Sequence, residues 1–312
     1  MATSPNSPGQ NNRGSYTPGD TGLRSISDRE FRLFQDLIYR EAGIHLSDVK
    51  RALLVGRLAK RLRTLGIDKF STYYDRVTGD ETGAEMVILL DAITTNETSF
   101  FREPRQFEYL EKVICPAWEK AADEGRRTRH LRIWSAACSS GEEPYSLAML
   151  LLWLLPPENG WQIDILATDI STQILERAVN GLWPINRATS IPDHLLKRYM
   201  LRGTGAQQGL MKAGPAVRVP LHFDRINLND PVWRGVQGPF DAVFCRNVLI
   251  YFDQASRSRV IERMIDLLAP DAHLFLGHAE SITGMTDRVR SVMPAVYINS
   301  PSVRSSGASR AR

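Results

Sequence analysis

From residue 26 the hydrophobic positions fall at helical steps. Phe31, Phe34, Leu37 and Ile38 recur at three- and four-residue intervals, the spacing that gathers side chains on one helix face. Ser27 and Glu30 ahead of them are spaced as a capping box. The pattern breaks at Gly43 and resumes near Ser47 and Asp48, where Leu53, Leu54, Leu58 and Leu62 predict a second amphipathic helix. Further helical patterns cover 71–77 and 84–92, so residues 26–92 read as a small all-α domain. A denser polar stretch over 93–106 then acts as a linker, and a helix is predicted over 106–122. Phe100, Phe101 and Phe107 in this stretch are expected to pack between the domains.

Beyond residue 130 the pattern alternates between short apolar runs and helical segments. Leu131, Ile133 and Trp134 predict a strand, and an apolar helix begins near Pro144 and ends before Pro156. A second strand runs from Ile163 to Asp169, followed by a helix capped by Ser171. Further strands are predicted at 240–247, at 274–278 and, as an antiparallel edge, at 295–298, with a helix from Gln254. Strands separated by helices indicate a doubly wound α/β sheet. Residues 181–223 interrupt this alternation. The glycines at 203, 205 and 209 and the run Val217 to Phe223 predict an inserted antiparallel β-subdomain at about 190–225, whose edge could take a peptide strand.

The turn after the first strand, Ala136 to Gly141, holds only Ala, Cys, Ser and Gly, residues that let a ligand approach the backbone. It lacks the G-x-G-x-x-G spacing of a dinucleotide loop. Glu142 and Glu143 stand where a pyrophosphate would lie, which favours a cationic, hydroxyl-rich ligand such as S-adenosylmethionine. Asp169 closes the second strand, where such sites place an acid for ribose hydroxyls. Arg246 and Asn247 end a later strand, so these groups converge on one crevice.

Charge adds one candidate surface. The chain has 312 residues and a net charge of +4, which permits an acidic partner without demanding nucleic acid. The second helix carries Lys50, Arg51, Arg57, Lys60, Arg61 and Arg63 with no acid after Asp48. This face reads either as a solvated surface or as a dock for an acidic partner. Three scattered cysteines give neither a disulfide framework nor a metal cluster, and a reducing, cytoplasmic setting fits. No signal peptide pattern and no 20-residue apolar run is present. Residues 1–25 and 301–312 have the composition of disordered tails.

The stretches Thr94 to Arg102, Trp134 to Ser146, Ala167 to Ile170 and Phe244 to Phe252 resemble, in order, the motifs of the CheR family. These are chemoreceptor glutamate O-methyltransferases that use S-adenosylmethionine. The resemblance covers residues 26–300 and implies an S-adenosylmethionine-dependent methyltransferase domain at 107–300 behind the helical domain and linker. It implies cofactor contacts at Asn96, Thr98, Arg102, one or both of Glu142 and Glu143, Asp169, Asn227, Leu228, Cys245 and Arg246. Arg102 and Tyr251 would flank the transferred methyl, and no metal is implied. The partners would be the cytoplasmic domains of membrane chemoreceptors, met by Lys50, Arg57, Lys60 and Arg61. In some members the β-subdomain also holds a receptor C-terminal peptide. A monomer that neither inserts in membranes nor binds nucleic acid is expected. Nucleic-acid methylation and a non-catalytic scaffold are the competing readings; the Asn-Pro-Pro-Tyr signature of amine methylation is missing.

Overall fold

The computed structural model describes residues 25–299, so both predicted tails lie outside it save for Ser25. The N-terminal domain comprises α1 (Asp28–Ala42), α2 (Arg51–Leu65), α3 (Phe70–Gly79) and α4 (Ala84–Ile93). The capping box is formed: the Ser27 hydroxyl accepts from the Glu30 N–H, and the Glu30 carboxylate accepts from the Ser27 N–H at 2.9 Å. Phe34, Leu58 and Tyr73 are fully buried in this domain's core. The stripe on α2 is Leu54, Leu58 and Leu62; Leu53 is instead 43% exposed. Neighbouring helical residues lie about 100° apart, and here Leu54 takes the core face while Leu53 turns toward the cleft.

Next come α5 (Pro104–Tyr109) and α6 (Cys115–Asp123), joined by a π-helical turn at Leu110–Ile114. Phe100, Phe101 and Phe107 pack within the core of the second domain, not between the two domains. The Phe100 ring lies 5.0 Å from Trp183, and Phe101 lies 4.9 Å from Phe107. The linker is thereby pinned to the domain whose site it completes.

The second domain continues through β1 (His130–Ala136), α7 (Glu142–Leu154), β2 (Gln162–Asp169), α8 (Thr172–Asn180), β3 (Leu182–Pro184), α9 (Asp193–Tyr199), β4 (Met200–Arg202), β5 (Leu210–Ala213), α10 (Pro215–Arg218) and β6 (Leu221–Arg225). It closes with β7 (Phe240–Cys245), α11 (Gln254–Asp266), β8 (Leu268–Leu276), β9 (Val289–Met293) and β10 (Val296–Asn299). One seven-stranded sheet has the order β6-β2-β1-β7-β8-β10-β9, with parallel pairing from β6 to β8. The chain leaves β1 toward β2 and later returns on the other flank as β7. That reversal opens a crevice at the carboxyl ends of the strands.

Two predicted features shift. The small sheet is β3-β5-β4, spanning residues 182–213, and the 203–209 glycines form its β4–β5 turn. The run from Leu221 belongs instead to the main sheet as its parallel edge strand β6. Pro220 precedes it and offers only its carbonyl, to the Ile165 N–H at 2.7 Å, which suits the start of an edge strand. The final strand β10 is not the edge, because β9 pairs outside it.

The helical domain is bonded to the sheet domain near the crevice. The Asp91 carboxylate accepts from the Thr172 N–H and hydroxyl at 2.9 and 2.8 Å, capping α8 from across the domain boundary. The Asn227 and Asn229 amides donate to the Glu41 and Arg40 carbonyls at 2.7 and 3.1 Å, and the His45 N–H donates to the Tyr251 carbonyl at 2.8 Å.

Candidate active site

A cleft enclosing about 1100 Å³ of space, mouth included, lies between the carboxyl ends of β1, β2 and β7 and the helical domain. Its floor starts at the small-residue turn. Gly141 caps α7 at φ +95°, and a Cβ there would lie 3.0 Å from that of Ala178 on α8; only glycine meets both demands. Asp169 holds this turn in place: its carboxylate accepts from the Ser139 N–H at 2.9 Å and the Ser171 N–H at 3.0 Å. Burial pushes its pKa up, and the backbone N–H bonds pull against that.

Glu143 and Arg246 form the centre of the buried wall. The Arg246 Nε donates to Glu143 Oε2 at 2.6 Å, and Ser135 Oγ donates to Glu143 Oε1 at 2.6 Å. Arg246 Nη1 reaches the Arg102 carbonyl at 2.7 Å and Gln106 Oε1 at 3.1 Å. Gln106 in turn donates to the Leu276 carbonyl at 2.8 Å. One guanidinium therefore ties α7, the linker and the end of β8 together. Such a buried pair is held by its completed hydrogen bonds, which offset the desolvation of both charges.

Backbone strain concentrates here. Among the described residues, seven non-glycines have positive φ, and Phe101, Glu103, Ala137, Ser139 and Asn247 lie on or beside this wall. Each such conformation costs on the order of 1–3 kcal/mol and persists where the surroundings impose it. Arg102 sits between two of them, at the cleft, with Nη1 donating to the Glu97 carbonyl at 2.9 Å.

The cleft brings together Asn96, Thr98, Arg102, Glu143, Asp169, Asn227, Leu228, Arg246, Tyr251 and Lys50. It leaves out others. Glu142 points the opposite way, bonded to Ser140 Oγ at 2.6 Å and lying 3.2 Å from Arg187 beside the small sheet, so Glu143 alone of the pair faces the cleft. The Cys245 side chain is fully buried in the core behind β7, where burial raises its thiol pKa. Asn227 lines the cleft, yet its amide is spent on Glu41 and Asp230.

Part of the cationic face of α2 is consumed by internal bonds. Arg61 forms a two-point bond to Glu85 at 2.7 and 2.5 Å, and Arg57 donates to the Ile93 carbonyl, to the Thr94 carbonyl at 2.8 Å and to Thr95 Oγ1 at 2.8 Å. Both guanidiniums are thus engaged within the helical domain and the start of the linker. Lys60 is exposed but away from the cleft lining. Lys50 alone of the four reaches the cleft, its Nζ 5.5 Å from the Tyr251 ring centre. The residues that periodicity did not single out are Leu46 and Ile93 on the helical wall, and Ser139, Gln106 and Glu280 on the sheet side; Leu53, expected in the core stripe of α2, lines the cleft instead. Glu280 lies four residues beyond the end of β8, whereas Asp169 is itself the last residue of β2, so the sequence offered little to single Glu280 out.

A mostly parallel sheet with its cleft at the strand reversal, a small-residue turn and an acid at the second strand's tip together define a nucleotide-type ligand site. Residues 29–94 match the family model described as "CheR methyltransferase, all-alpha domain", and residues 96–298 match "CheR methyltransferase, SAM binding domain". The chain belongs to the CheR methyltransferase family and uses S-adenosylmethionine. It is 39% identical over 262 residues to "Chemotaxis protein methyltransferase" of Salmonella typhimurium, covering 84% of this chain and 86% of that one. It is 38% identical to the Escherichia coli protein of the same name over 88% of this chain and 91% of that one. "Chemotaxis protein methyltransferase 2" of Pseudomonas aeruginosa is 39% identical, over 86% and 92%. The cleft suits this donor: carboxylates for its cationic and hydroxyl groups, a guanidinium for its carboxylate, and small residues where its bulk must approach the chain. No helix among the described residues is long and apolar enough to cross a membrane.

Proposed function

We propose that the chain transfers the methyl group of S-adenosylmethionine to glutamate side chains on the cytoplasmic domains of chemoreceptors, forming methyl esters for sensory adaptation. The observation that supports this reading is the cleft, which Arg102, Tyr251 and Lys50 line together with the buried Glu143–Arg246 pair, Lys50 Nζ lying 5.5 Å from the Tyr251 ring centre. A glutamate with a reference pKa near 4.3 is already ionised at pH 7, so no general base is required. Its carboxylate oxygen forms the new C–O bond while the C–S bond breaks, and S-adenosylhomocysteine leaves with the electron pair. Opposite charges vanish in that step, so a cleft that excludes water favours it. Arg102 would orient the carboxylate and Tyr251 would bond to its second oxygen or guide the methyl, leaving alignment as the main catalytic contribution. Asn96, Thr98, Glu143, Asp169, Leu228 and Arg246 would hold the donor.

Lys50 would draw the acidic receptor surface toward the mouth. The protein would work as a cytoplasmic monomer. The outer strand of the small sheet, β4, pairs with β5 on one side only among the described residues, which supports a receptor C-terminal peptide adding there as a further strand. Incubation with tritiated S-adenosylmethionine and receptor-bearing membranes tests the reading. Base-labile label on the receptor is expected; alkali-stable label, label in nucleic acid, or none would overturn it.

A further inference from the structure

Glu280 is a buried carboxylate that the cofactor and substrate roles above leave without a task. It is 2% exposed, and no cation pairs with it among the described residues. All its bonds are to backbone N–H groups. Oε2 accepts from Gly277 at 2.7 Å and Asn247 at 2.9 Å, and Oε1 accepts from Ile250 at 3.2 Å. Burial pushes its pKa up, against the pull of those N–H bonds. An ionised group held without a counter-charge costs folding free energy, so its placement calls for a return elsewhere.

The bonds converge on the segment that carries Tyr251. Asn247 has φ +58°, and Leu249–Tyr251 form a single 3-10 turn, too short to hold its own geometry. Glu280 grips this segment at both ends and ties it to the carboxyl end of β8. Gly277 is part of the same fitting: a Cβ there would stand 2.8 Å from the Asn247 nitrogen and 2.9 Å from Glu280 Oε2. Arg246, one residue earlier, is anchored separately by Glu143, Gln106 and the Arg102 carbonyl. The donor-binding wall and the Tyr251 turn therefore have distinct supports.

We infer that Glu280 is a positioning residue for methyl transfer: its carboxylate fixes the 247–251 turn so that Tyr251 is aligned with the acceptor oxygen. The inference rests on the reading of Tyr251 given above. Glu280→Gln replaces one accepting oxygen with an NH₂ that faces backbone donors and so releases one end of the turn. A misplacement near 1 Å at a reacting group costs about 10²-fold in rate. Glu280→Gln is expected to lower kcat on that scale while KM for S-adenosylmethionine and the affinity for S-adenosylhomocysteine hold within about twofold. Gly277→Ala, which keeps the carboxylate but crowds Asn247, is expected to lower kcat in the same direction and serves if Glu280→Gln does not fold.

The decisive comparison is a double-mutant cycle with Tyr251→Phe. If Glu280 acts through Tyr251, adding Glu280→Gln or Gly277→Ala to Tyr251→Phe lowers kcat little further. Additive losses, or a lower Tm with kcat unchanged, would make Glu280 a structural staple and overturn the inference. A Tyr251→Phe enzyme with full kcat would instead remove the role assigned to Tyr251, and the inference with it.

Discussion

The two walls of the cleft are built on opposite plans. The sheet-side wall is buried and polar, with strained backbone at Ala137, Ser139 and Asn247 and every charge of the Glu143–Arg246 pair bonded. The helical wall is apolar, with Leu46, Leu53 and Ile93, and offers one cation, Lys50, at the mouth. The first plan suits a small donor that must be held in one pose, since preorganised groups lose little on binding. The second suits a protein surface that arrives, reacts and leaves. Binding too tightly on that side would stabilise the ground state and slow turnover.

If this division is right, damage to the buried wall should be severe and should strike donor binding. Arg246→Ala strands Glu143 and Gln106 and is expected to cost about 3–5 kcal/mol of stability, read as a shift in the denaturant midpoint. Where the variant folds, affinity for S-adenosylhomocysteine should fall more than tenfold, about 1.4 kcal/mol or more. A folded variant with full affinity would break the comparison.

The helical domain should fail differently. Glu85 is held below its ordinary pKa of 4.5, first of all by its bond to Arg61, and against the cost of burial. A depressed carboxyl contributes stability that is present above its unfolded value and lost as pH falls through the folded one. The wild type should therefore lose Tm on acidification below about pH 4.5, in part through this group. Glu85→Gln should lower the neutral-pH stability by about 1–3 kcal/mol and flatten that acid dependence. An unchanged acid profile would remove Arg61 from its structural role and return it to the surface. The smallest effect is expected from Lys60→Glu with Arg63→Glu: about a twofold rise in receptor KM at low salt, fading as screening grows. A tenfold rise would show that the outer face of α2 docks the substrate after all.

What the sequence made legible divides along the same line. The strand ending at Asp169, the Ser27 cap and the glycine at 141 follow from local period and turn chemistry. The strand predicted over 240–247 stops earlier, at Cys245, and Arg246 and Asn247 lie in the turn beyond it. Which of Glu142 and Glu143 faces the cleft does not, because both are polar and adjacent helix positions diverge by about 100°. The fate of the α2 cations was equally hidden: their partners, Glu85 and the carbonyls of Ile93 and Thr94, lie 24 to 37 positions away. Glu280 acts through backbone N–H groups, which carry no residue signature. Leu221 to Arg225 alternates like a hairpin strand, and only its parallel partner β2 places it at the edge of the main sheet.

The most direct test is a calorimetric titration of S-adenosylhomocysteine into Lys50→Glu beside the wild type, paired with receptor KM on the same samples. The account predicts donor-product affinity within about twofold and receptor KM raised about tenfold, near 1.4 kcal/mol. Lost affinity for the nucleoside with an unchanged receptor KM would contradict it, because the helical wall would then belong to the donor and not to the acceptor.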